Sequence, residues 1–373
     1  MLGKKNLNII LLLGLFFLNI CVMTSSSQDD YIESNEFFPA LLRGIGFNGQ
    51  KRENYQPVSR LLNSSQTNST SNQFSSRILL AQSQYSVPGW VDTRWKYRKN
   101  ITILSSQVFD DFTDFPVLIE LFDEDLRNHA QTTGNDIFFT NEQGIKLDHE
   151  IELYDRQYSY TQAHLVAWVK TNLTNLGGGY ISMYYGNPTA GPQENPAGVW
   201  DDNYIGVWHL SEDPTGTIYD STSNNNDGTA QGSMTSDNQV EGKIDGSIDF
   251  DGDNDYIDCG NDSTSDITDD ITLQFWIKAE NYTNDPDLLT KGSYTQAYSS
   301  FIYDANDDNN DGVIYFKINN YNLISVSTLT IGTWYYITCT RESNTMKIYI
   351  NGDVDSTDTY STPIETIVDP LTI

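Results

Sequence analysis

Carboxylate and amide side chains are concentrated in two loop-like stretches of the C-terminal half of the chain. The first reads IDFDGDNDY and the second reads DANDDNNDG. Calcium in proteins is bound by about six to eight oxygen atoms, which clustered Asp and Asn side chains and loop carbonyls supply. We therefore predict a calcium site in this half of the chain. The candidate ligands are Asp251, Asp253, Asp255, Asp307, Asn309 and Asp311.

The second stretch matches only the start of a known calcium loop. Asp307, Asn309 and Asp311-Gly312 fit the D-x-N-x-D-G pattern, but Ile318 stands where an EF-hand has its bidentate Glu. An EF-hand is therefore excluded. The alternative is a solvated hairpin loop in which Asp311-Gly312 only makes the turn.

A second group with possible chemistry lies in the run DHEIE, where a strand would place Glu150 and Glu152 on one face. Two carboxyl groups about 5 Å apart serve retaining glycoside hydrolysis, whereas an exposed strand face is usually polar for solubility. His209, in GVWHL, is interpreted as packing at a strand end. The sequence contains no nucleophile elbow and no phosphate-binding loop. We predict that the protein is not an enzyme and leave glycoside hydrolysis open.

Short strands separated by polar turns must position the acidic loops. The run ITLQFWIKA places Ile271, Leu273, Phe275 and Ile277 on one face, as a strand over a sandwich core requires. Asn351-Gly352 lies between two alternating runs and predicts a type I′ hairpin. This half of the chain therefore reads as an antiparallel β-sandwich.

The runs GVWHLSE, DSTSNNNDGT and GSIDFDGDNDYIDCG, and later GTWYYITCTRESNTMKIYINGD, resemble a laminin-G-like, concanavalin-A-like jelly roll over about residues 204–373. We assign this domain to residues 199–373. The resemblance implies that calcium binds in strand-connecting loops. The family normally continues for a few strands beyond DPLTI, so we expect the jelly roll to be incomplete here.

The resemblance also implies carbohydrate recognition by exposed aromatic rings and loop Asp and Asn side chains. Tyr294, Tyr298 and Tyr321 fall in loop-like positions and are the candidate platforms. For any single aromatic residue, ordinary packing in the core is the alternative.

Residues 88–198 predict a first β-sandwich, because strand-like runs recur between turn residues. A short helix is expected at Asp123–Gln131, and a Pro/Gly-rich junction sets the boundary near Val199. The elements WKYRKNITI, NDIFFTN and ISMYYGN resemble an uncharacterised domain that precedes laminin-G-like domains in secreted bacterial and archaeal surface proteins. That resemblance implies no activity.

The N-terminal region predicts export. Residues 1–28 combine Lys4 and Lys5 with a short apolar run and a polar Ser run, as a secretory signal does, and a retained membrane anchor is the alternative. Residues 29–86 form a presegment and a Ser/Asn/Gln/Thr-rich flexible linker. We expect an extracellular or cell-surface location.

Charge and cysteine content narrow the class of partner. The net charge is −30, most of it C-terminal to residue 200, and such a field repels nucleic acid and anionic headgroups. Cys259 and Cys339 lie in strand-like runs and are predicted to be buried free thiols.

Together these features predict an all-β protein of two tandem antiparallel β-sandwiches, the second lacking its last strands. The expected role is non-catalytic recognition of glycans or surface proteins, with calcium as the one cofactor that the sequence suggests. Two alternatives stay open: a binding module of a carbohydrate-active enzyme whose catalytic part is missing here, and a structural spacer of a surface array.

Overall fold

The structure is a computed structural model that describes residues 8–12, 91–103, 108, 110–175, 179–282, 285–292, 296–303 and 312–373. This part of the chain is almost entirely β, which confirms the predicted all-β class. No helix in the described ranges is long and apolar enough to cross a membrane.

The first sandwich consists of two antiparallel sheets, with strand orders β2-β8-β4-β5 and β3-β7-β6. Its strands are β2 (Tyr97–Ile103), β3 (Phe112–Asp123), β4 (Phe138–Thr140), β5 (Lys146–Leu147), β6 (His149–Asp155), β7 (Ala163–Leu173) and β8 (Gly179–Tyr185). Alternate residues of facing strands, such as Ile119 of β3, Ala167 of β7 and Met183 of β8, fill the core between the sheets. Every second side chain along these strands is therefore buried between the two sheets, as the sequence predicted.

The predicted short helix is confirmed as α1 (Glu124–His129), directly after β3. The side chain of Asp123 accepts a hydrogen bond from the Leu126 amide and so caps the helix N-terminus. Leu126 is buried and ties the helix to the core.

The second sandwich is larger and again antiparallel, apart from the strand β1 described below. Helix α2 (Pro196–Val199) precedes it. Its strands are β9 (Tyr204–Trp208), β10 (Thr217–Ile218), β11 (Gly228–Gln231), β12 (Gln239–Glu241), β13 (Gly246–Ile248), β14 (Tyr256–Asp258), β15 (Ile271–Lys278), β16 (Asp287–Lys291), β17 (Tyr298–Tyr303), β18 (Val313–Ile318), β19 (Tyr321–Thr328), β20 (Trp334–Glu342), β21 (Thr345–Ile350), β22 (Asp353–Thr359) and β23 (Leu371–Thr372). Two 3-10 turns occupy Ser236–Asn238 and Ser263–Ser265.

One sheet of this sandwich has the order β10-β11-β14-β23-β16-β17-β18-β19, and β12 and β13 form a separate hairpin. The facing sheet has the order β22-β21-β20-β15-β1-β9, where β1 is the segment Asn8–Leu12. The β1 backbone pairs in parallel with both β9 and β15, and it is the one stretch of the predicted leader that the structure describes.

Local predictions for the second sandwich agree with the structure. Ile271, Leu273 and Phe275 are buried in one core, and Asn351 and Gly352 have φ values of 51° and 81°, as a type I′ turn requires. Cys259 and Cys339 are buried free thiols. The predicted hairpin, core face and thiol state are therefore confirmed.

A third apolar cluster lies between the two sandwiches. It joins Val207 of β9 to side chains of β3, β7 and the α2 junction: Leu118, Val166, Trp168, Val199 and Trp200. The β3-β7-β6 sheet of the first sandwich therefore packs against the outer face of the second one. This contact brings polar residues of the first sandwich close to polar residues of the second.

Two glycines with positive φ allow a test of packing around β8. We expect Gly186→Ala to lower the free energy of unfolding more than Gly252→Ala. Both have left-handed φ values, 85° and 71°, which cost an alanine about 1–2 kcal/mol. Only at Gly186 would the new Cβ also lie 2.4 Å from the Tyr97 ring, whereas nothing lies within 4 Å at Gly252.

Urea denaturation of the two variants measures the difference, which should be on the order of 1 kcal/mol or more. Equal losses would show that the Tyr97 ring moves aside without cost.

Candidate functional site

The first predicted acidic loop forms a single turn between β13 and β14. One carboxylate oxygen of Asp251 accepts hydrogen bonds from the amides of Asp253, Asn254 and Asp255, at 2.8, 3.0 and 3.2 Å. These backbone bonds lower the pKa of Asp251. Asp255 in turn accepts from the amide of Ser233 at 3.0 Å. The carboxylates of Asp251 and Asp255 therefore hold the turn itself.

The described residues contain no group of three or more His, Cys, Asp or Glu side chains arranged to hold a metal ion. The other candidate ligands, Asp307, Asn309 and Asp311, lie outside the described ranges. Calcium binding thus stays a prediction.

The structure describes two of the three predicted aromatic platforms, Tyr298 and Tyr321, and only Tyr321 is partly exposed. Tyr298 lies at the start of β17 with only 1% of its surface exposed, and its hydroxyl donates to the Ser265 carbonyl. The expectation of an exposed Tyr298 ring is therefore wrong. Tyr321 is half-buried and stacks on Tyr360 with ring centroids 4.8 Å apart. Tyr294 lies outside the described residues.

The structure instead brings three ionisable side chains together between the two sandwiches. Glu150 and Glu152 come from β6, and His209 follows the last residue of β9. Nε2 of His209 lies 3.1 Å from a carboxylate oxygen of Glu150, and Nδ1 lies 3.2 Å from one of Glu152. An imidazole that faces a carboxylate with each nitrogen is satisfied only when both nitrogens carry a proton. We call these residues the Glu–His–Glu cluster.

A break in the pairing of β6 helps to aim both glutamates at the same histidine. Ile151 pairs with Ala167, but Leu153 pairs with Val166, so the register shifts at Glu152. A bulge of this kind turns a side chain away from its regular direction.

The two carboxylates of the cluster also accept hydrogen bonds from indole and hydroxyl donors. The Trp200 indole N–H donates to Glu150 at 2.8 Å, and the Trp168 indole N–H donates to Glu152 at 2.8 Å. The Ser221 hydroxyl also donates to Glu150. These donors partly compensate the buried charges and orient the carboxylates.

The ionisation of the cluster follows from this geometry. Burial disfavours the charged form of His209, but the adjacent carboxylates of Glu150 and Glu152 outweigh it and raise the pKa of His209 well above its usual value. Burial likewise opposes the charge of Glu150, yet His209 and the hydrogen bonds lower the pKa of Glu150. Nearby, burial and the Glu152 charge raise the pKa of Asp245. These pKa directions and the geometry favour an imidazolium at His209 that faces the Glu150 carboxylate.

A small cleft opens beside the cluster, and Glu152 and His209 form part of its wall. The other lining residues are Leu210, Lys243, Ile244, Gly246, Ser247, Trp276 and Trp334. We call it the tryptophan cleft.

The two tryptophans of the cleft are diagonal neighbours on the outer face of one sheet. Trp276 of β15 lies opposite Tyr336 of β20, and the next outward pair is Lys278 with Trp334. The Lys243 ammonium lies 5.3 Å from the Trp276 ring centre, and that of Lys278 lies 5.4 Å from the Trp334 ring centre. The cleft thus combines flat aromatic surface with hydrogen-bonding groups of both signs.

Sequence reasoning placed Glu150 and Glu152 on one face but missed their partner. His209 was interpreted as packing at a strand end, and no local pattern reveals that a second domain covers the β6 face. The missed signal lies in the tryptophans: Trp168 and Trp200 are buried donors, which need acceptors.

Comparisons with known proteins agree with the two resemblances. Residues 251–373 match the family model described as the Concanavalin A-like lectin/glucanases superfamily, and residues 133–229 match that of a domain of unknown function, DUF2341. Both resemblances are confirmed over these residues, and the C-terminal sandwich is similar to the concanavalin-A-like superfamily. The second match crosses Val199 and contains every member of the Glu–His–Glu cluster and its donors. No curated protein matches the chain.

Three solved structures are distantly similar. Domain 4 of AbnA, an extracellular arabinanase from Geobacillus stearothermophilus, in complex with arabinotriose, is 18% identical, with a TM-score of 0.33 over 41% of this chain and 75% of that one. A protein from Bacteroides ovatus that is described as carbohydrate-binding is 10% identical, with a TM-score of 0.29 over 71% of this chain and 70% of that one. A pentraxin from Limulus polyphemus is 17% identical, with a TM-score of 0.23 over 29% of this chain and 54% of that one.

The cluster makes a direct prediction about stability. We expect His209→Gln to lower the free energy of unfolding by about 3 kcal/mol or more, because it leaves two buried carboxylates without a counter-charge. His164→Gln is the matched control. His164 is also buried and pairs with Glu120 at 2.9 Å, but both residues belong to the first sandwich. Chemical denaturation at neutral pH compares them, and equal losses would contradict a special role for His209.

The same cluster predicts how stability depends on pH. Because the pKa of His209 is raised on folding, its contribution is complete below the unfolded pKa and is lost as pH rises through the folded one. Because the pKa of Glu150 is lowered, its contribution is lost as pH falls below the usual range of a glutamate. Thermal melts should show both losses in the wild type. The alkaline loss should be smaller in His209→Gln, and an unchanged alkaline limb would contradict the assignment.

Proposed function

We propose that the protein is a non-catalytic carbohydrate-binding protein and that the tryptophan cleft is its binding site. The observation that carries this proposal is the pair Trp276 and Trp334, half-buried side by side and bordered by Glu152, His209 and Lys243. Sugar rings present C–H faces that stack on aromatic rings, and hydroxyl groups that bind carboxylates and ammonium groups. The cleft offers both kinds of contact within a few ångströms.

The family match supports this choice of ligand. The strands that carry Trp276 and Trp334 lie within residues 251–373, which match the concanavalin-A-like lectin and glucanase superfamily. A shared fold alone does not define a function, so the proposal rests on the cleft.

The ionisation of Glu150 argues against a role for this residue as a catalytic acid. A retaining or inverting glycosidase needs one carboxyl group with a raised pKa that donates a proton to the leaving group. Glu150 has a lowered pKa, and its oxygens accept from Trp200 and Ser221 and face His209. The cluster is built to hold charge and not to transfer a proton.

The setting of the protein is part of the same proposal. The basic and apolar N-terminal run and the polar linker support export to the cell surface, where glycans and other surface proteins are the available partners. A binding module attached to a catalytic domain remains the first alternative. A structural spacer is the second, and the tryptophan cleft disfavours it because a spacer needs no such surface.

Removal of either cleft tryptophan should weaken recognition. We expect Trp276→Ala and Trp334→Ala each to weaken binding to glycans that score on an array by at least about tenfold, or about 1.4 kcal/mol. The control is Tyr219→Ala, which removes an aromatic ring that is 60% exposed and does not line the cleft. Binding that survives both tryptophan variants, or an array without any positive glycan, would reject the proposal.

Calcium dependence is tested separately. If calcium binds in the acidic loops, excess calcium should raise the melting temperature relative to excess chelator, because a ligand that binds only the folded state stabilises it. A melting temperature that is the same in both conditions would refute calcium binding.

A further inference from the structure

A second aromatic surface lies on the first sandwich, outside the tryptophan cleft. Phe122, near the end of β3, is 45% exposed, and Tyr158, in the loop between β6 and β7, is 54% exposed. Their ring centroids are 5.0 Å apart. Large exposed aromatic side chains are costly in water and often mark a contact surface. We call Phe122 and Tyr158 the aromatic platform.

The Phe122 ring of the platform packs on a buried histidine. The imidazole of His164 stacks on the Phe122 ring at 4.3 Å and 12°, and Glu120 holds that imidazole through a 2.9 Å contact. One face of Phe122 is therefore covered by protein while nearly half of the residue stays exposed. A ring fixed in this way loses little freedom when a ligand stacks on it.

The loop that carries Tyr158 is also held in place. A backbone hydrogen bond and bonds of the Ser159 hydroxyl join Ser159 to Gln162, and the Gln162 side chain donates to the Phe122 carbonyl at 3.1 Å. Tyr160 of the same loop is fully exposed. Loops of tyrosine and serine on a fixed frame are typical of recognition surfaces, because the phenol offers both a flat ring and a hydroxyl.

The platform and the tryptophan cleft are connected through the β3-β7-β6 sheet. Phe122 of β3 lies opposite His164 of β7, and His164 lies opposite Asp155 of β6. Glu152, three residues earlier in β6, lines the cleft. One sheet of the first sandwich thus carries the platform and part of the cleft wall.

We propose that the aromatic platform is a second sugar-binding subsite, supplied by the first sandwich, and that one carbohydrate chain spans the platform and the tryptophan cleft. This inference rests on the proposed function of the cleft. A carbohydrate chain fits better than a protein partner, because the apolar area is small and its rim consists of amide and carboxylate groups such as Gln162 and Glu120.

The test compares long and short ligands. Affinity electrophoresis of the full chain in gels with soluble arabinan, xylan, galactomannan or β-glucan measures polysaccharide binding, and competition with the constituent monosaccharides measures the cleft alone. We expect Phe122→Ala and Tyr158→Ala each to weaken binding of the retained polysaccharide about fivefold. Monosaccharide competition should not change, because a single sugar occupies only the cleft.

Two variants are used because Phe122→Ala also removes the surface on which His164 stacks, whereas Tyr158→Ala leaves that contact intact. Circular dichroism checks that both are folded, and Tyr219→Ala is the control. If Trp276→Ala weakens polysaccharide binding but neither platform variant does, the second subsite is wrong and the proposed function stands.

The other outcomes also decide the matter. If no polysaccharide retards the protein, both proposals fail. If the platform variants weaken monosaccharide and polysaccharide equally, the platform is not a separate subsite. If the wild type forms a dimer that Tyr158→Ala dissociates, the platform is a contact between two copies of the chain, and the inference is overturned.

Discussion

His209 carries a positive charge in a largely buried place between two carboxylates, and such a charge is tolerated only while both partners keep their positions. Glu150 and Glu152 belong to the first sandwich, and His209 follows the strand β9 of the second. Separation of the two domains would break both ion contacts of His209. The contacts of one imidazole with two carboxylates therefore help to hold the two sandwiches together.

The apolar surroundings strengthen this constraint. Trp168 and Trp200 donate hydrogen bonds to the glutamates while their rings pack in the apolar cluster between the domains. A low local dielectric makes each ion contact stronger than it would be in water. Polar and apolar contacts thus depend on each other here. The same contacts hold one wall of the cleft in place, because Glu152 and His209 are both part of that wall.

Much of the fold could be predicted because a strand with one buried face shows alternating apolar and polar residues in the sequence. The strand β15 shows this in Ile271, Leu273 and Phe275. The error at Tyr298 has the opposite cause. Residues of β17 from Tyr298 to Ile302 are all buried, polar Ser299 and Ser300 included, so this strand has no period to detect. Burial on both faces hides a strand from an alternation rule.

The candidate site was harder to predict than the fold, because its parts come from β6, β9, β15, β20 and the β12–β13 turn. Only tertiary packing joins them, and no spacing along the chain encodes it. The sequence did indicate one property of a ligand through the net charge of −30. A field of that sign repels polyanions at long range, while Lys243 and Lys278 act only beside the two tryptophans. An uncharged polymer of hydroxyl groups meets the aromatic surface without that repulsion, so charge and cleft chemistry select the same class of ligand.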